Sequence, residues 1–120
     1  MNSSETPADN QAQPADLHIL EGQFGGETTR ELVKAYLEDT GKTLDGMQEA
    51  MIGRDLKAVK ALSHMLKSAS RIVGATQLSA HSKQMEDLCD QGQWLQIESF
   101  YETFSASFEA TAEYLRQYLQ

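Results

Sequence analysis

The sequence predicts an all-α protein, an antiparallel four-helix bundle with a short extra helix at its N-terminal end. Apolar residues recur every three or four positions over most of the chain, and no segment shows the strict alternation of a half-buried strand. Both prolines, Pro7 and Pro14, lie near the N-terminus, so the remaining ~100 residues can form long helices. The 120 residues are enough for one domain with a single core.

The N-terminal segment differs in composition from the rest of the chain. Residues 1–16 contain no Leu, Ile, Val or aromatic residue, so they cannot bury enough apolar surface to offset the entropy of ordering. We therefore expect a disordered tail over 1–16 and the bundle over 17–120. A short helix is expected at 17–21, before the glycine-rich sequence GQFGG.

The first long helix is predicted to begin at Thr28, because TTRE (28–31) has the spacing of a capping box. Gly41 and Gly46 lie inside this helix, and each lowers its helix propensity by up to about 1 kcal/mol. Gly53 is the expected end of the helix. Its apolar stripe consists of Leu32, Tyr36, Leu37, Leu44, Met47 and Met51.

Three further helices are predicted from the same kinds of signal. The second runs over 55–73, with Asp55 as its N-cap, and ends at Gly74. The third runs over 76–91 and is closed by Gly92, and the fourth occupies the remaining C-terminal residues. The third helix has Leu78, His81, Met85 and Leu88 on one side. The fourth carries Trp94, Ile97, Tyr101, Phe104, Phe108, Thr111 and Leu115.

The composition argues against several classes of function. A net charge of −8 and a pI near 4.7 disfavour binding to nucleic acid or to an anionic membrane, since both need a basic surface. We expect no metal site, because the chain has no Glu-x-x-His pair and no Cys/His cluster. The chain has no run of the ~20 apolar residues that a membrane span needs, no signal-peptide pattern, and one cysteine, Cys89. We expect a cytoplasmic protein that acts as a monomer.

His64 is predicted to point away from the core. On an ideal helix with ~100° per residue and Val59 at zero, the apolar stripe of the second helix is centred at about −40°. This stripe comprises Leu62, Leu66, Ala69 and Val73. His64 falls at about +140° on the same wheel, almost opposite the stripe. His81 is in step with the apolar residues of its own helix, so we expect it in the core, and His18 is expected to have no role.

Four cations surround His64 on this outer face: Lys57, Lys60, Lys67 and Arg71. Residues 56–85 contain five Lys or Arg and no Asp or Glu. The rest of the chain has a net charge of −13, from five Lys or Arg and 18 Asp or Glu. A neutral imidazole can attack phosphorus and form an N–P bond, and a ring of cations can neutralise the phosphoryl oxygens. The residues alone leave two interpretations open, a phosphoryl-carrying histidine or a solvated basic face without chemistry.

The sequence SHMLKSASRIVGA (63–75) resembles the signature of histidine-containing phosphotransfer (HPt) domains. In that signature a His is followed by Leu at the second place, Lys at the third, and Gly-Ala at the tenth and eleventh. The matching residues here are His64, Leu66, Lys67, Gly74 and Ala75. The resemblance continues through FGGE near Phe24, LSAHSKQMEDLCDQG and the C-terminal helix, and it covers about residues 17–119.

The resemblance implies a four-helix bundle that passes a phosphoryl group between the aspartates of two receiver domains. It implies that His64 is the phosphoacceptor, that Lys67 orients the phosphoryl group, and that Gly74 has a structural role. Glu86 falls where the family often has a polar residue beside the histidine. The surface expected to dock a partner comprises Lys57, Lys60, Ala61, Met65, Ser68, Arg71 and Glu86. Ser68 departs from the family pattern, which commonly has Gly there, but serine is small enough for a partner to approach.

The preferred hypothesis is a phosphorelay intermediate between the receiver domains of a hybrid sensor kinase and of a response regulator. Because the chain has no glycine-rich nucleotide loop, we expect no kinase activity of its own and no cofactor, with Mg²⁺ held by the partner receiver. The alternative is a non-catalytic helical adaptor that binds a receiver or kinase domain. An enzyme acting on a small molecule is disfavoured, because His64 lies on a convex helix face that cannot enclose a substrate.

Overall fold

The computed structural model describes residues 13–120, which form four helices in an antiparallel bundle. The helices are α1 (His18–Ile52), α2 (Leu56–Ile72), α3 (Thr76–Gln91) and α4 (Trp94–Leu119). The α2–α3 contact is the most extensive, with α1 packed on α2 and α4 packed on α3. No strand occurs in the described part of the chain, so the predicted all-α four-helix fold is confirmed. In the same range, no helix is both long and apolar enough to cross a membrane.

The bounds of α2, α3 and α4 follow the predicted signals closely. Asp55 caps α2, because its carboxylate accepts a hydrogen bond from the backbone N–H of Ala58 at 3.1 Å. α3 ends before Gly92, whose φ of 70° lets its N–H reach back to the carbonyls of the last turn. α1 ends before Gly53, as predicted. Capping residues and glycines therefore determine where these helices stop and start.

The N-terminal part of α1 differs from the prediction. The expected short helix at 17–21 and the expected long helix form one helical stretch, which begins at His18 and is kinked at Gly25. Gly25 has φ 83° and ψ 168°, a conformation that in practice only glycine adopts, and the chain is helical again directly after it. Thr28 therefore lies inside a helix and is not an N-cap.

The core-facing stripe of α1 is displaced from the predicted one. Tyr36 and Met47 are buried as predicted. The other predicted members are partly buried or exposed: Leu37, Leu44, Met51 and Leu32. Their places in the core are taken by Thr29, Val33, Thr40 and Ala50. Threonine can be buried here because its hydroxyl donates to a carbonyl one turn back, as from Thr40 Oγ1 to the carbonyl of Tyr36 at 2.6 Å.

Buried hydroxyls also lie at the contact between α2 and α3. Ser63 and Ser82 each donate to a carbonyl four residues back on their own helix, at 2.7 and 2.8 Å. Ser79 on α3 donates instead to the carbonyl of Lys67 on α2, at 2.9 Å. Because these side chains are small and fully hydrogen-bonded, the two helices can pack closely without leaving buried polar groups unpaired.

The N-terminal residues of the described chain pack against the turn between α2 and α3. Ala15 is fully buried, and the backbone N–H of Asp16 donates to the carbonyl of Gly74 at 3.1 Å. Both residues belong to the segment 1–16 that is expected to be a disordered tail. Residues 1–12 of that segment lie outside the described residues. The packed part of the chain thus extends further towards the N-terminus than the sequence predicts.

The C-terminal end of α4 contacts the N-terminal part of α1. Arg30 on α1 donates hydrogen bonds to the carbonyls of Tyr118 and Leu119 at 3.1 and 2.5 Å. The Tyr118 hydroxyl donates to Glu21, on the other side of the α1 kink, at 2.6 Å. The last carbonyls of α4, which lack partners within their own helix, are therefore satisfied by a cation.

Gly74 occupies a position where the fold tolerates no side chain. Its φ is 71°, and a Cβ atom added there would lie 2.1 Å from the carbonyl oxygen of Asp16. Gly92 has nearly the same φ, 70°, but its Cβ would enter open space. Comparing the two glycines therefore separates the effect of backbone conformation from the effect of close contact.

Gly74→Ala is expected to destabilise the protein by about 2–4 kcal/mol, because the strain of a left-handed alanine adds to a backbone clash. Gly92→Ala has the strain alone and should lower the free energy of unfolding by about 1 kcal/mol. Urea unfolding followed by circular dichroism measures both values. Equal effects of the two substitutions would contradict the role of the Asp16 contact.

Candidate functional site

His64 lies on the outer face of α2, as predicted from the sequence. The residues that bury α2 in the bundle are Val59, Ser63, Leu66 and Ser70. Because they recur every three or four positions, His64 points outward, and 58% of its side-chain surface is exposed. The imidazole is therefore accessible to a macromolecular partner.

Glu86 on α3 contacts the imidazole directly. Its Oε2 lies 2.9 Å from Nδ1 of His64. An ionised carboxylate only accepts hydrogen bonds, so Nδ1 carries the proton and is the donor. Nε2 therefore keeps a free lone pair, and it has no hydrogen-bond partner within residues 13–120. The sequence places Glu86 with the docking residues, whereas in the structure it touches His64 itself.

Lys67 is held by the other oxygen of the same carboxylate. Its Nζ donates to Oε1 of Glu86 at 3.0 Å, and both side chains are mostly buried. This hydrogen bond, with a smaller contribution from His64, holds the pKa of Glu86 below its ordinary value, although partial burial opposes the shift. Glu86 is therefore a carboxylate at neutral pH and bridges the histidine and the lysine.

A second carboxylate of α3 holds another of the four predicted cations. Oδ1 of Asp90 lies 2.5 Å from Nζ of Lys60 in a pair that is about half exposed. Lys57 and Arg71 have no ion-pair partner in the described part of the chain. The predicted ring of four cations is thus partly neutralised by acids that follow the all-basic stretch 56–85.

The cations are divided between two surface clefts. The first has a volume of about 540 Å³ and is lined by Lys57, Lys60, Ala61, His64, Met65 and Glu86. The second has a volume of about 230 Å³ and is lined by Lys67, Arg71, Thr76, Ser79, Ala80 and Lys83. The first cleft therefore brings the imidazole and two of the cations to the same space, whereas Lys67 and Arg71 face a separate one.

Apolar side chains extend the surface around His64. Met65 and Ile72 on α2 are both exposed. Leu32 of α1, predicted in the core, is exposed and lines a shallow apolar groove of about 150 Å³ with Ile72. Ser68 is exposed one turn after His64. The predicted docking surface omits Ile72 and Leu32, although Ile72 falls at about −140° on the helical wheel, about 100° away from the centre of the core stripe.

The other histidines and the cysteine lie outside the site. His81 is partly buried and packs edge-to-face against Phe100, with ring centroids 5.7 Å apart. His18 is exposed at the start of α1. Burial raises the pKa of the Cys89 thiol to about 11, so this thiol is protonated at neutral pH and is a poor nucleophile. Between residues 13 and 120, no group of three or more His, Cys, Asp and Glu side chains is arranged to hold a metal ion.

The chain matches a known protein family over most of its length. The family model described as Hpt domain matches residues 31–119, a range that contains His64, Lys67 and Glu86. No curated protein sequence matches the chain. The crystal structure of histidine-containing phosphotransfer protein B (HptB) from Pseudomonas aeruginosa PAO1 is similar, with a TM-score of 0.81 and 20% sequence identity. That similarity covers 88% of this chain and 94% of the other, and it shows a common fold.

Glu86→Gln is expected to weaken the preference of the neutral His64 imidazole for protonation at Nδ1, because a neutral amide can donate as well as accept a hydrogen bond. Nitrogen NMR should show the wild-type neutral imidazole protonated at Nδ1, and the variant should shift the tautomer ratio by roughly threefold to tenfold. Asp87→Asn is the matched control, since this neighbour on α3 pairs with Lys83 instead. A wild-type imidazole protonated at Nε2 would contradict the assignment.

Proposed function

Because the chain belongs to the Hpt domain family, and so has a histidine phosphotransfer role in phosphorelay signalling, we propose that His64 carries the phosphoryl group. The supporting observation is the hydrogen bond between Nδ1 of His64 and Glu86 at 2.9 Å. This bond leaves Nε2 as a nucleophile on an exposed side chain. A macromolecular phosphoryl donor can approach it from the solvent.

Phosphoryl transfer then proceeds by attack of Nε2 on the aspartyl phosphate of a receiver domain. The Nε2 lone pair forms the N–P bond while the bond between phosphorus and the aspartate oxygen breaks. The aspartate keeps the bonding electron pair and leaves as a carboxylate. No proton leaves Nε2, which carries none, so the imidazole ring gains one positive charge. Transfer to a second receiver is the same reaction in reverse.

Glu86 stabilises this positive charge where it develops. Its carboxylate is already ionised and hydrogen-bonded to Nδ1, so this contact is in place before the N–P bond forms. We assign the orientation of the phosphoryl group to Lys67, because Glu86 uses one of its three ammonium donors and two stay available. The resemblance of the sequence motif supports the same role.

The partners that we propose are the receiver domains of a hybrid sensor kinase and of a response regulator. The cleft around His64 suits them, because it combines cations for an anionic aspartyl phosphate with apolar contact area. We assign docking to Lys57, Lys60, Ala61, Met65, Ser68 and Arg71. Since two partners share one surface, we expect a small and transient interface, below about 1,200 Å² in total.

We propose further that the protein is a carrier without kinase activity of its own. Its sequence has no glycine-rich nucleotide loop, so we assign the Mg²⁺ of the reaction to the receiver and no cofactor to this chain. The net charge of −8 disfavours nucleic-acid and membrane partners. We expect the protein to act as a monomer in the cytoplasm, where the single Cys89 stays reduced.

His64→Gln is expected to abolish phosphoryl transfer, because glutamine has no nucleophilic ring nitrogen. The measurement is the transfer of labelled phosphate from a phosphorylated receiver to the chain, and the rate should fall by at least about 100-fold. His18→Gln is the control, and it should be labelled like the wild type. Equal labelling of His64→Gln and wild type would refute the assignment. A receiver that binds without ever leaving acid-labile phosphate on the chain would favour the helical adaptor.

Met65→Ala is expected to weaken docking, because it removes exposed apolar area beside His64. The kcat/KM for transfer from a receiver should fall by about fivefold. Labelling by phosphoramidate, a small donor that needs no docking, separates a docking defect from lost His64 reactivity. Leu95→Ala is the matched control, since Leu95 is also apolar and exposed but lies at the start of α4, outside the cleft. Similar losses in both variants would remove Met65 from the docking surface.

A further inference from the structure

We infer that Lys60 is a second cation, besides Lys67, that contacts the phosphoryl group on His64, and that Asp90 is a positioning residue that holds Lys60 until that group arrives. The inference rests on the proposed function of His64. It gives the ion pair between Lys60 and Asp90 a role in the reaction, beyond the docking of a partner.

Two carboxylates one turn apart on α3 hold two lysines of α2. Glu86 holds Lys67, three residues after His64, and Asp90 holds Lys60, four residues before it. While the imidazole is neutral, the charges of these four side chains cancel.

A phosphoryl group adds up to about two negative charges while the imidazole ring gains one positive charge, so a net charge of about −1 is left unbalanced. Lys57 lines the same cleft as His64 but lies seven residues, about two turns, before it, whereas Lys60 lies one turn before it. Lys60 is therefore the further cation best placed to reach the phosphoryl group, and to do so it leaves Asp90.

The two ion pairs differ in how easily they exchange partners. The side chains of Lys60 and Asp90 are 46% and 55% exposed, whereas those of Lys67 and Glu86 are 19% and 14% exposed. Water and salt weaken an exposed pair, so it breaks easily. Releasing Lys67 would leave a mostly buried carboxylate without its main partner. Of the two paired lysines, Lys60 therefore leaves its carboxylate more easily.

Lys60 lies one turn before His64, on the side towards which the imidazole leans. Side chains on a helix lean towards its N-terminus, so the imidazole of His64 leans over the turn that contains Lys60. Both side chains line the cleft of about 540 Å³, which Lys67 does not line. The hydrogen bond to Asp90 raises the pKa of Lys60, so its amine is charged at neutral pH. A phosphoryl group on the imidazole therefore borders the cleft that Lys60 also lines.

Phosphoramidate and phosphorus NMR test this inference without a receiver domain. The protein is phosphorylated at His64, and the phosphorus chemical shift is followed against pH to give the dissociation constant of the last phosphoryl proton. A cation in contact favours the dianion, so this constant should be about threefold larger in the wild type than in Lys60→Gln. Asp90→Asn should increase it further, because Lys60 is released.

A double-mutant cycle shows whether Asp90 acts through Lys60. In the Lys60→Gln background, Asp90→Asn should have a clearly smaller effect than in the wild type. Asp90→Glu, which keeps the carboxylate, should behave like the wild type. Lys83→Gln and Asp87→Asn are the matched controls, because they belong to an exposed ion pair on α3 that does not line the His64 cleft. Both controls should leave the constant unchanged.

Two results would overturn the inference. One is an unchanged dissociation constant of the phosphoryl proton in Lys60→Gln. If Lys67→Gln then changed this constant, the contact would belong to Lys67 alone. The other is an Asp90→Asn effect that persists undiminished without Lys60. Failure of the proposed function looks different, since phosphoramidate would then label the wild type and His64→Gln equally.

Discussion

The hydrogen bond from Ser79 on α3 to the carbonyl of Lys67 on α2, at 2.9 Å, fixes how the two central helices lie against each other. Ser63 and Ser82 are buried in the same helices, and because they are small and their hydroxyls are hydrogen-bonded, they allow close packing at these positions. In this register the carboxylates of α3 meet the cations of α2. Because these ion pairs join side chains of two different helices, the site depends on the register in which α2 and α3 pack.

Local signals in the sequence were sufficient for most of the fold. The bounds of α2, α3 and α4 could be predicted because each follows from a residue with a specific backbone role, such as Asp55 or Gly92. The outward direction of His64 could be predicted because a helical wheel requires only the helical period. The buried face of α1 could not be predicted, since Thr29 and Thr40 count as polar in a sequence pattern although their hydroxyls are satisfied within the helix.

The contacts of the carboxylates around His64 could not be predicted by the same reasoning. Charges counted along the chain show a purely basic stretch over 56–85, and Glu86 and Asp90 come just after it. Their pairing with α2 depends on the relative rotation and register of two helices, which separate helical wheels do not determine. Packing thus converts a cluster of cations into a partly neutralised site, in which Glu86 holds His64 and Lys67 and Asp90 holds Lys60.

Most buried hydroxyls in this bundle bond back to their own helix, as those of Thr40, Ser63 and Thr111 do. Such a bond makes no demand on the residue that faces it from a neighbouring helix. The residues that face such a hydroxyl from a neighbouring helix can therefore be substituted as long as their volume is kept. Such substitutions break no hydrogen bond between helices, so the helices can stay where they are while the residues between them change.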